Sequence, residues 1–240
     1  MSLEAKNLLQ VTQDLLDDLD KLEFSPPVAV TYNVLRYAWR GYRAYLEKFG
    51  NGPKRVLFLG MNPGPWGMAQ TGVPFGEVAS VRDWMKIKAI IDRPEFEHPK
   101  RPILGFSCEK SEVSGRRLWG LFAEKFDSAQ AFFLEHLVIN YCPLVFMEES
   151  GRNLTPDKLS AKEAIPLHAV CNMYLSKITE IIQPKWVIGV GVYAEKRAKQ
   201  ALGPNYKFGR ILHPSPASPA ANAGWTERAE SQLNMLGIWE

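Results

Sequence analysis

The sequence predicts an α/β domain in which a central, mostly parallel four-stranded sheet lies between two helical layers, a three-layer α/β/α fold. Four short apolar runs have the composition of buried strands, and amphipathic stretches separate them. The strand-like runs are 55–60, 137–140, 186–191 and 208–213, and the helical stretches lie near 77–91, 115–135, 163–183 and 192–202. Strands that alternate with helices form parallel sheets covered on both faces. Ligands bind such sheets at the carboxyl ends of the strands, so the residues after each strand are candidates for a functional site.

The remaining segments predict helices around this alternating core. Residues 4–22 place leucines on one stripe and acids opposite, and Ser25-Pro26-Pro27 ends that pattern. Residues 31–48 read as a second amphipathic helix rich in aromatic residues, and 222–236 read as a closing helix. We therefore expect one domain over residues 1–240, with the helix of residues 1–24 packed on it.

Composition excludes several classes of protein. No apolar run approaches the roughly 18 residues that span a bilayer, and the N-terminus lacks the basic and apolar regions of a signal peptide. The three cysteines are odd in number and far apart, which argues against a disulfide framework and against a four-thiolate metal site. We expect an intracellular protein with no membrane association, no metal and no cofactor.

The charge of the chain is unevenly distributed. Residues 1–23 carry six acids and two lysines, a net charge of −4. Because the net charge of the whole chain is +3, residues 24–240 carry a net charge of +7. A basic body is compatible with a polyanionic partner but does not require one.

The segment after the first predicted strand, residues 60–76, contains five glycines and three prolines and must be a loop. Glycines let the backbone approach a ligand closely, and prolines stiffen the path. The loop lacks the Gly-Lys-Ser/Thr ending of a nucleotide P-loop and the spacing of a dinucleotide fingerprint. A rigid ligand pocket and a structural turn both remain open on composition alone.

Two polar residues end the other predicted strands. Asn140 follows the second strand, and an amide there either binds a ligand or caps a turn. His213 follows the fourth strand and is either catalytic or a packed residue. It precedes residues 214–222, an uncharged loop with three prolines.

Five segments of the chain resemble the single-strand-selective monofunctional uracil-DNA glycosylases, a family of the uracil-DNA glycosylase superfamily. They are GMNPGPWGMAQTGVPFG at 60–76, HPKRPILGFSCEKSEVSG at 98–115, the IN-CPL pattern at 139–144, SGRNLTP at 150–156 and HPSPASPAANAGW at 213–225. The resemblance spans roughly residues 25–238 in order and spacing. It implies an enzyme that flips uracil and C5-oxidised uracils out of DNA, hydrolyses the N-glycosidic bond and leaves an abasic site.

The resemblance also implies the catalytic residues. Asn62 matches the residue that positions the water, and because an amide takes no proton at neutral pH it can only orient that water. His213 matches the histidine that donates toward O2 of the base as negative charge develops there. The first and last motifs contain no lysine, which predicts a monofunctional enzyme because a Schiff-base lyase needs an amine nucleophile.

Four further residues are implied to bind the base. Phe75 matches the ring that stacks on it, and Asn140 matches the amide that accepts from N3–H and donates to O4. The backbone at Gly64 and Met68 fits the family's contact around C5 and O4. That contact suggests tolerance of oxidised groups such as hydroxymethyl and discrimination against thymine.

Other residues are expected to contact DNA. Loop 214–222 resembles the wedge that enters the duplex, although Ala217 stands where a basic residue is expected. The candidate DNA contacts are Ser111, Ser114, Arg116, Pro214, Ser215, Pro216, Ala217, Ser218, Pro219 and Asn222. For the charged residues near 110–117, a solvated helix face is the competing interpretation.

The resemblance implies a monomer that acts on single- and double-stranded DNA, in the nucleus of a eukaryote or the cytoplasm and nucleoid of a bacterium. Two other functions remain open. One is a hydrolase of free nucleosides or nucleotides that uses the same pocket. The other is a non-catalytic binder of damaged DNA, which the amide at Asn62 makes worth testing.

Overall fold

A computed structural model of the chain describes residues 1–239. Its helices are α1 Leu3–Leu19, α2 Val34–Tyr37, α3 Trp39–Phe49, α4 Met68–Thr71, α5 Val113–Lys125, α6 Ala129–Glu135, α7 Ala161–Ile182, α8 Val192–Leu202, α9 Pro219–Asn222 and α10 Trp225–Met235. Its strands are β1 Val30–Asn33, β2 Val56–Gly60, β3 His136–Asn140, β4 Leu144–Met147, β5 Asn153–Leu154, β6 Trp186–Val190 and β7 Lys207–Ile211.

The main sheet has four strands in the order β3-β2-β6-β7, and all of its neighbouring pairs are parallel. Helices flank this sheet, so the predicted α/β class with a four-stranded parallel sheet is confirmed. Every residue of β2 and β3 is buried, as expected for strands covered on both faces. The four predicted strands differ from the observed ones by no more than two residues at either end.

A second sheet was not predicted. It has the order β1-β4-β5, and both of its pairings are antiparallel. The predicted helix over 31–48 is therefore wrong at its start, because residues 30–33 form β1 against β4. The run Val30-Thr31-Tyr32 is rich in β-branched and aromatic side chains, which suit a strand better than a helix.

The predicted helix over 77–91 is also wrong. Only a short π-helical segment forms there, over Ser80–Trp84. Lys86 has a φ of 54°, which reverses the chain and returns the buried Ile87 to the core. The apolar residues of this segment are therefore buried by a short helical segment and a turn, and they do not form one face of a continuous helix.

Two other predicted helices are each divided in two. Residues 115–135 form α5 and α6, and the hydroxyl of Ser128 caps α6 by accepting from the backbone N–H of Ala131 over 3.1 Å. Residues 222–236 form the end of α9 and then α10, and Gly224 between them has a φ of 100°. A glycine is favoured there because other residues rarely adopt that conformation.

Helix α1 ends at Leu19, three residues before the predicted end. Its leucine stripe is buried, and the helix packs on α7 and α3. Three hydroxyls join these helices: Thr12 lies 3.2 Å from Tyr174, and Tyr174 lies 2.8 Å from Tyr42. The acidic first helix is thus packed against the body of the protein.

Residues 1–239 contain no helix that is both long and apolar enough to cross a membrane. The three cysteines are free and buried. In the same part of the chain, no three His, Cys, Asp or Glu side chains are grouped so that they could hold a metal ion.

His136, at the start of β3, is a titratable group deep in the core. It is 1% exposed, and its ring stacks on that of Phe132 with centroids 4.7 Å apart. Its Nδ1 donates to the carbonyl of Phe132 over 2.7 Å, while Nε2 has no partner among the described residues. Burial lowers the pKa of His136 to about 4, so the native ring is neutral at neutral pH.

We expect His136 to make the protein acid-labile. Between its ordinary pKa of about 6.5 and its native pKa of about 4, the unfolded chain binds a proton that the folded chain does not. The free energy of unfolding therefore decreases as the pH is lowered through this range. In His136→Phe, which keeps the stacking, the loss of unfolding free energy between pH 7 and 4.5 should be smaller by about 2 kcal/mol. Urea denaturation of both proteins at the two pH values measures this difference. An equal loss in both proteins would contradict the assignment.

Candidate active site at the carboxyl edge of the sheet

A cavity of about 540 Å³ lies beyond the carboxyl ends of the strands in the main sheet. The loops that follow β2 and β7 contribute to its wall, as do the last residue of β3, the β5 segment and the start of α5. Its lining residues are Met61, Asn62, Pro63, Gly64, Pro65, Phe75, Glu112, Ser114, Asn140, Asn153, Thr155, His213, Ser215 and Pro216. The position agrees with the rule that parallel sheets bind ligands at this edge.

Asn140 is the last residue of β3, and the parallel register pairs it with Gly60 at the end of β2. It is 5% exposed. Its Nδ2 donates to the sulfur of Met68 over 3.2 Å, whereas its buried Oδ1 has no partner in the described residues. A buried carbonyl oxygen without a hydrogen bond costs about 1–3 kcal/mol, so this atom is suited to receive a donor from a ligand.

Gly60 leaves the space that the side chains of Asn140 and Phe75 occupy. A Cβ there would collide with Oδ1 of Asn140 and would lie 2.6 Å from Cε2 of Phe75. Any larger residue would therefore displace the amide, the ring or both.

Phe75 is held in a strained backbone conformation. Its φ is 52°, a region that costs a non-glycine residue about 1–3 kcal/mol. The indole Nε1 of Trp119 donates to its carbonyl over 3.0 Å, and a Cβ on Gly115 would strike that same carbonyl. The Phe75 ring lies against the cavity, with its centroid 6.3 Å from that of His213. The surrounding contacts fix an aromatic face in the wall.

The loop between β2 and α4 is tied down by one buried amide. Nε2 of Gln70 donates to the carbonyls of Pro65 and Pro102, at 2.9 and 3.0 Å. Its Oε1 accepts from the backbone N–H groups of Leu104 and Gly105, at 2.8 and 3.1 Å. All four hydrogen bonds available to this amide are made, so the loop is rigid.

Asn62 lies two residues beyond β2 on the cavity wall. The backbone pairing between β2 and β3 continues past the strands, because the N–H of Cys142 donates to the carbonyl of Met61 over 2.9 Å. Nδ2 of Asn62 donates to the carbonyl of Leu144 over 3.2 Å. Its Oδ1 accepts no hydrogen bond from residues 1–239. The amide is therefore oriented, with a free acceptor on the cavity wall.

His213 faces the cavity two residues beyond β7. Burial lowers its pKa to about 4, so the imidazole is neutral at neutral pH. The backbone N–H of Ser215 donates to Nδ1 over 3.1 Å, so the single ring proton lies on Nε2. The residue is thus a neutral hydrogen-bond donor.

Gly191, directly after β6, makes room for His213. It has a φ of 97°, and a Cβ there would lie 3.1 Å from the Cβ of His213. The strand end of β6 therefore contributes space and no side chain.

The predicted wedge loop is compact and includes α9. The hydroxyl of Ser215 accepts from the N–H of Ala217, and that of Ser218 accepts from the N–H of Ala221 at the start of α9. Ser215 and Pro216 line the cavity, whereas Ala217 is exposed. The loop thus forms the rim of the cavity.

Arg117 braces this loop. It donates to the carbonyl of Pro214 and to Oδ1 of Asn222, both at 3.0 Å. Nδ2 of Asn222 in turn donates to the carbonyl of Pro216 over 2.8 Å. Arg117 was considered a phosphate contact, but its hydrogen bonds are to the protein, while Arg116 is exposed.

The structure brings together most of the residues predicted from the sequence. The predicted residues on the cavity wall are Asn62, Gly64, Phe75, Ser114, Asn140, His213, Ser215 and Pro216. Met68 lies behind the wall, where its sulfur contacts Asn140. The predicted residues away from the wall are Ser111, Arg116, Pro214, Ala217, Ser218, Pro219 and Asn222.

Six wall residues were not predicted, and three of these have polar side chains. Asn153 and Thr155 come from β5 and the residue after it, and Oδ1 of Asn153 is a second buried oxygen without a partner in the described residues. Glu112 caps α5, and its Oε2 accepts from the N–H of Gly115 over 3.2 Å. Burial, reinforced by the charge of Glu77, raises the pKa of Glu112 to about 7. The SGRNLTP and SEVSG segments carried the signal for these positions.

Comparison with known proteins gives a consistent result. The family profile described as the uracil DNA glycosylase superfamily matches residues 47–234. The single-strand selective monofunctional uracil DNA glycosylase of Bos taurus is 47% identical over 98% of this chain and 87% of its own length. The corresponding protein of Rattus norvegicus is 48% identical over 98% of this chain and 85% of its own length.

A solved structure agrees with the fold. The crystal structure of wild-type SMUG2 from Pedobacter heparinus superposes with a TM-score of 0.68, covering 95% of this chain and 96% of that one. The two sequences are only 16% identical, so this likeness concerns the fold alone. On the profile match and the identity to the mammalian proteins, the chain belongs to the uracil-DNA glycosylase superfamily and, within it, to the single-strand selective monofunctional uracil-DNA glycosylases.

Proposed function

We propose that the chain is a monofunctional DNA glycosylase of base excision repair. It hydrolyses the N-glycosidic bond of uracil, and of C5-oxidised uracils such as 5-hydroxymethyluracil, and leaves an abasic site in DNA. The observation that carries the proposal is the unpartnered Oδ1 of Asn140 in the cavity wall. Family membership supports the reaction type.

Asn140 provides the hydrogen-bonding pattern that uracil needs. Uracil presents a donor at N3 beside an acceptor at O4, and the amide offers an acceptor at Oδ1 and a donor at Nδ2. Cytosine presents the reverse pattern at the same edge, so a fixed amide rejects it and leaves polar groups unpaired. The contact of Nδ2 with Met68 supports this fixed orientation.

The catalytic steps follow from two neutral side chains. Cleavage produces an oxocarbenium-like sugar and an anionic base, so the enzyme must stabilise charge on the base and place a water near C1′. The Nε2–H of His213 donates toward O2 as that charge develops. Oδ1 of Asn62 orients the water, since an amide cannot remove its proton. No lysine lies among the described residues of the wall, which supports hydrolysis without a lyase step.

The cavity implies an extruded base. A base stacked in a duplex cannot reach a pocket beyond the sheet edge, so the nucleotide must leave the stack or arrive in single-stranded DNA. Phe75 offers a ring against which the base stacks, worth about 1–3 kcal/mol. Loop 214–222 lies at the rim of the cavity, where exposed Pro216 and Ala217 are positioned to occupy the vacated space.

The reaction is tested by single-turnover release of uracil from a labelled oligonucleotide, in parallel with free deoxyuridine. We expect release from the oligonucleotide and far slower release from the nucleoside, because the rim loop can contact only a substrate that extends beyond a single nucleoside. Equal rates would favour a nucleoside hydrolase. Binding without release at excess enzyme would favour a non-catalytic binder.

We expect Asn62→Ala and His213→Ala to reduce the cleavage rate about 10²–10³-fold, the usual loss when a transition-state hydrogen bond is removed. DNA affinity should change only a few-fold, because neither group contacts the phosphate backbone. Rates and fluorescence-anisotropy titrations of the same oligonucleotide provide the comparison. His168→Ala, a partly buried histidine outside the cavity, is the control. Parallel losses of rate and affinity would contradict the assigned roles.

Asn140→Asp should slow uracil release by at least about tenfold, because the carboxylate replaces the donor to O4 with a repelling oxygen. Asn234→Asp makes the same chemical change on the exposed face of α10 and should retain the native rate. Single-turnover kinetics measure both variants. Native release by Asn140→Asp would show that another group reads the base.

A further inference from the structure

Glu112 is a carboxyl group in a wall that is otherwise almost uncharged. Among the described residues that line the cavity, only Glu112 and His213 have acidic or basic side chains, and His213 is neutral at neutral pH. The proposed excision of uracil uses Asn62, Phe75, Asn140 and His213, but it has no role for this carboxyl.

Three glycines accommodate the Glu112 carboxyl group. A Cβ on Gly64 would lie 3.0 Å from Oε1, and one on Gly115 would lie 2.7 Å from Oε2. A Cβ on Gly67 would collide with Oε2. The carboxyl is thus packed closely against the loop after β2, and substitutions at these glycines would move it.

Only one of the two carboxyl oxygens has a protein partner. Oε2 accepts the Gly115 N–H and so caps α5, whereas Oε1 makes no hydrogen bond within residues 1–239. A desolvated carboxyl oxygen without a partner is costly. Because Glu112 lines the cavity, Oε1 is available to a hydrogen-bond donor on a ligand.

The orientation of the base brings its C5 edge toward Glu112. Nδ2 of Asn140 points to the sulfur of Met68, so O4 of the base lies on the Met68 side. C5 is the next ring atom after C4 and lies opposite C2, whose oxygen faces His213. Gly67 directly precedes Met68 and is in contact range of the Glu112 carboxyl. A substituent at C5 therefore projects toward Glu112.

We propose that Glu112 is a specificity-determining residue whose Oε1 accepts a hydrogen bond from the hydroxyl of a C5-hydroxymethyl group. This inference rests on the proposed function and assigns the C5 side of the same pocket. A formyl group has only an acceptor oxygen, which an ionised carboxylate repels. The methyl group of thymine would cover Oε1 without satisfying it, so thymine is disfavoured.

The protonation state of Glu112 decides which substituent it favours. Burial raises its pKa to about 7, with the Glu77 carboxylate as the neighbouring charge that adds to the effect. At pH 8 the carboxyl is therefore mainly ionised and acts as an acceptor. Comparisons at this pH test the acceptor role directly.

The test compares wild type, Glu112→Gln and the control Glu109→Gln, an exposed carboxyl of the same segment. Single-turnover rates are measured at pH 8 for uracil, 5-hydroxymethyluracil and 5-formyluracil in identical single-stranded oligonucleotides. In Glu112→Gln the amide oxygen keeps the cap on Gly115, and its NH₂ replaces the acceptor. We expect the ratio of hydroxymethyl to formyl release to fall about tenfold, whereas the control keeps the wild-type ratio.

A ratio within twofold of wild type in Glu112→Gln would overturn the proposal, even if all three rates fell together. Glu112→Asp is the second variant, because it keeps the charge and withdraws it by one methylene. It should lower the ratio of hydroxymethyl to unsubstituted uracil release, and an unchanged ratio would also overturn the proposal. Absence of any base release by wild type would instead refute the proposed function.

Discussion

The site depends on the parallel register between β2 and β3. This register pairs Gly60 with Asn140, and backbone hydrogen bonds continue it to Met61 and Cys142. It places the amide of Asn140 beside a loop that carries Asn62, although 78 positions separate the two asparagines in sequence. A shift by one residue would bury a different side chain at the strand end, so the register and the site are specified together.

The two side chains proposed to act in catalysis are neutral, and their environment compensates for the absence of charge. The neutral imidazole of His213 and the amide of Asn62 are weak partners in water. In a desolvated cavity, donors and acceptors already fixed in place act more strongly on charge that develops during bond cleavage. Gly191 and Ser215 position the imidazole, and the carbonyl of Leu144 positions the amide. Residues that only position the imidazole and the amide are therefore as much a part of the candidate site as the two side chains themselves.

The sequence predicted the parallel sheet and the principal residues of the site because both follow local rules. Short apolar runs mark β2 and β7, and the residues after these strands include Asn62 and His213. The small antiparallel sheet was missed because β4 and β5 are only four and two residues long and form by pairing, β4 with β1 and β5 with β4. Asn153 reaches the cavity through that pairing, and periodicity does not reveal it. Glu112 was overlooked for a related reason, since an acid before a helix is usually only a cap.

The amide of Gln70 has a thermodynamic consequence for ligand binding. Its four hydrogen bonds fix the loop after β2 to residues 102–105 before any ligand is present. The conformational entropy of ordering that loop is therefore lost once, when the chain folds, and is not lost again at each encounter with DNA. More of the free energy of association then remains available for the base extrusion that we propose, and unstacking a base alone costs a few kcal/mol.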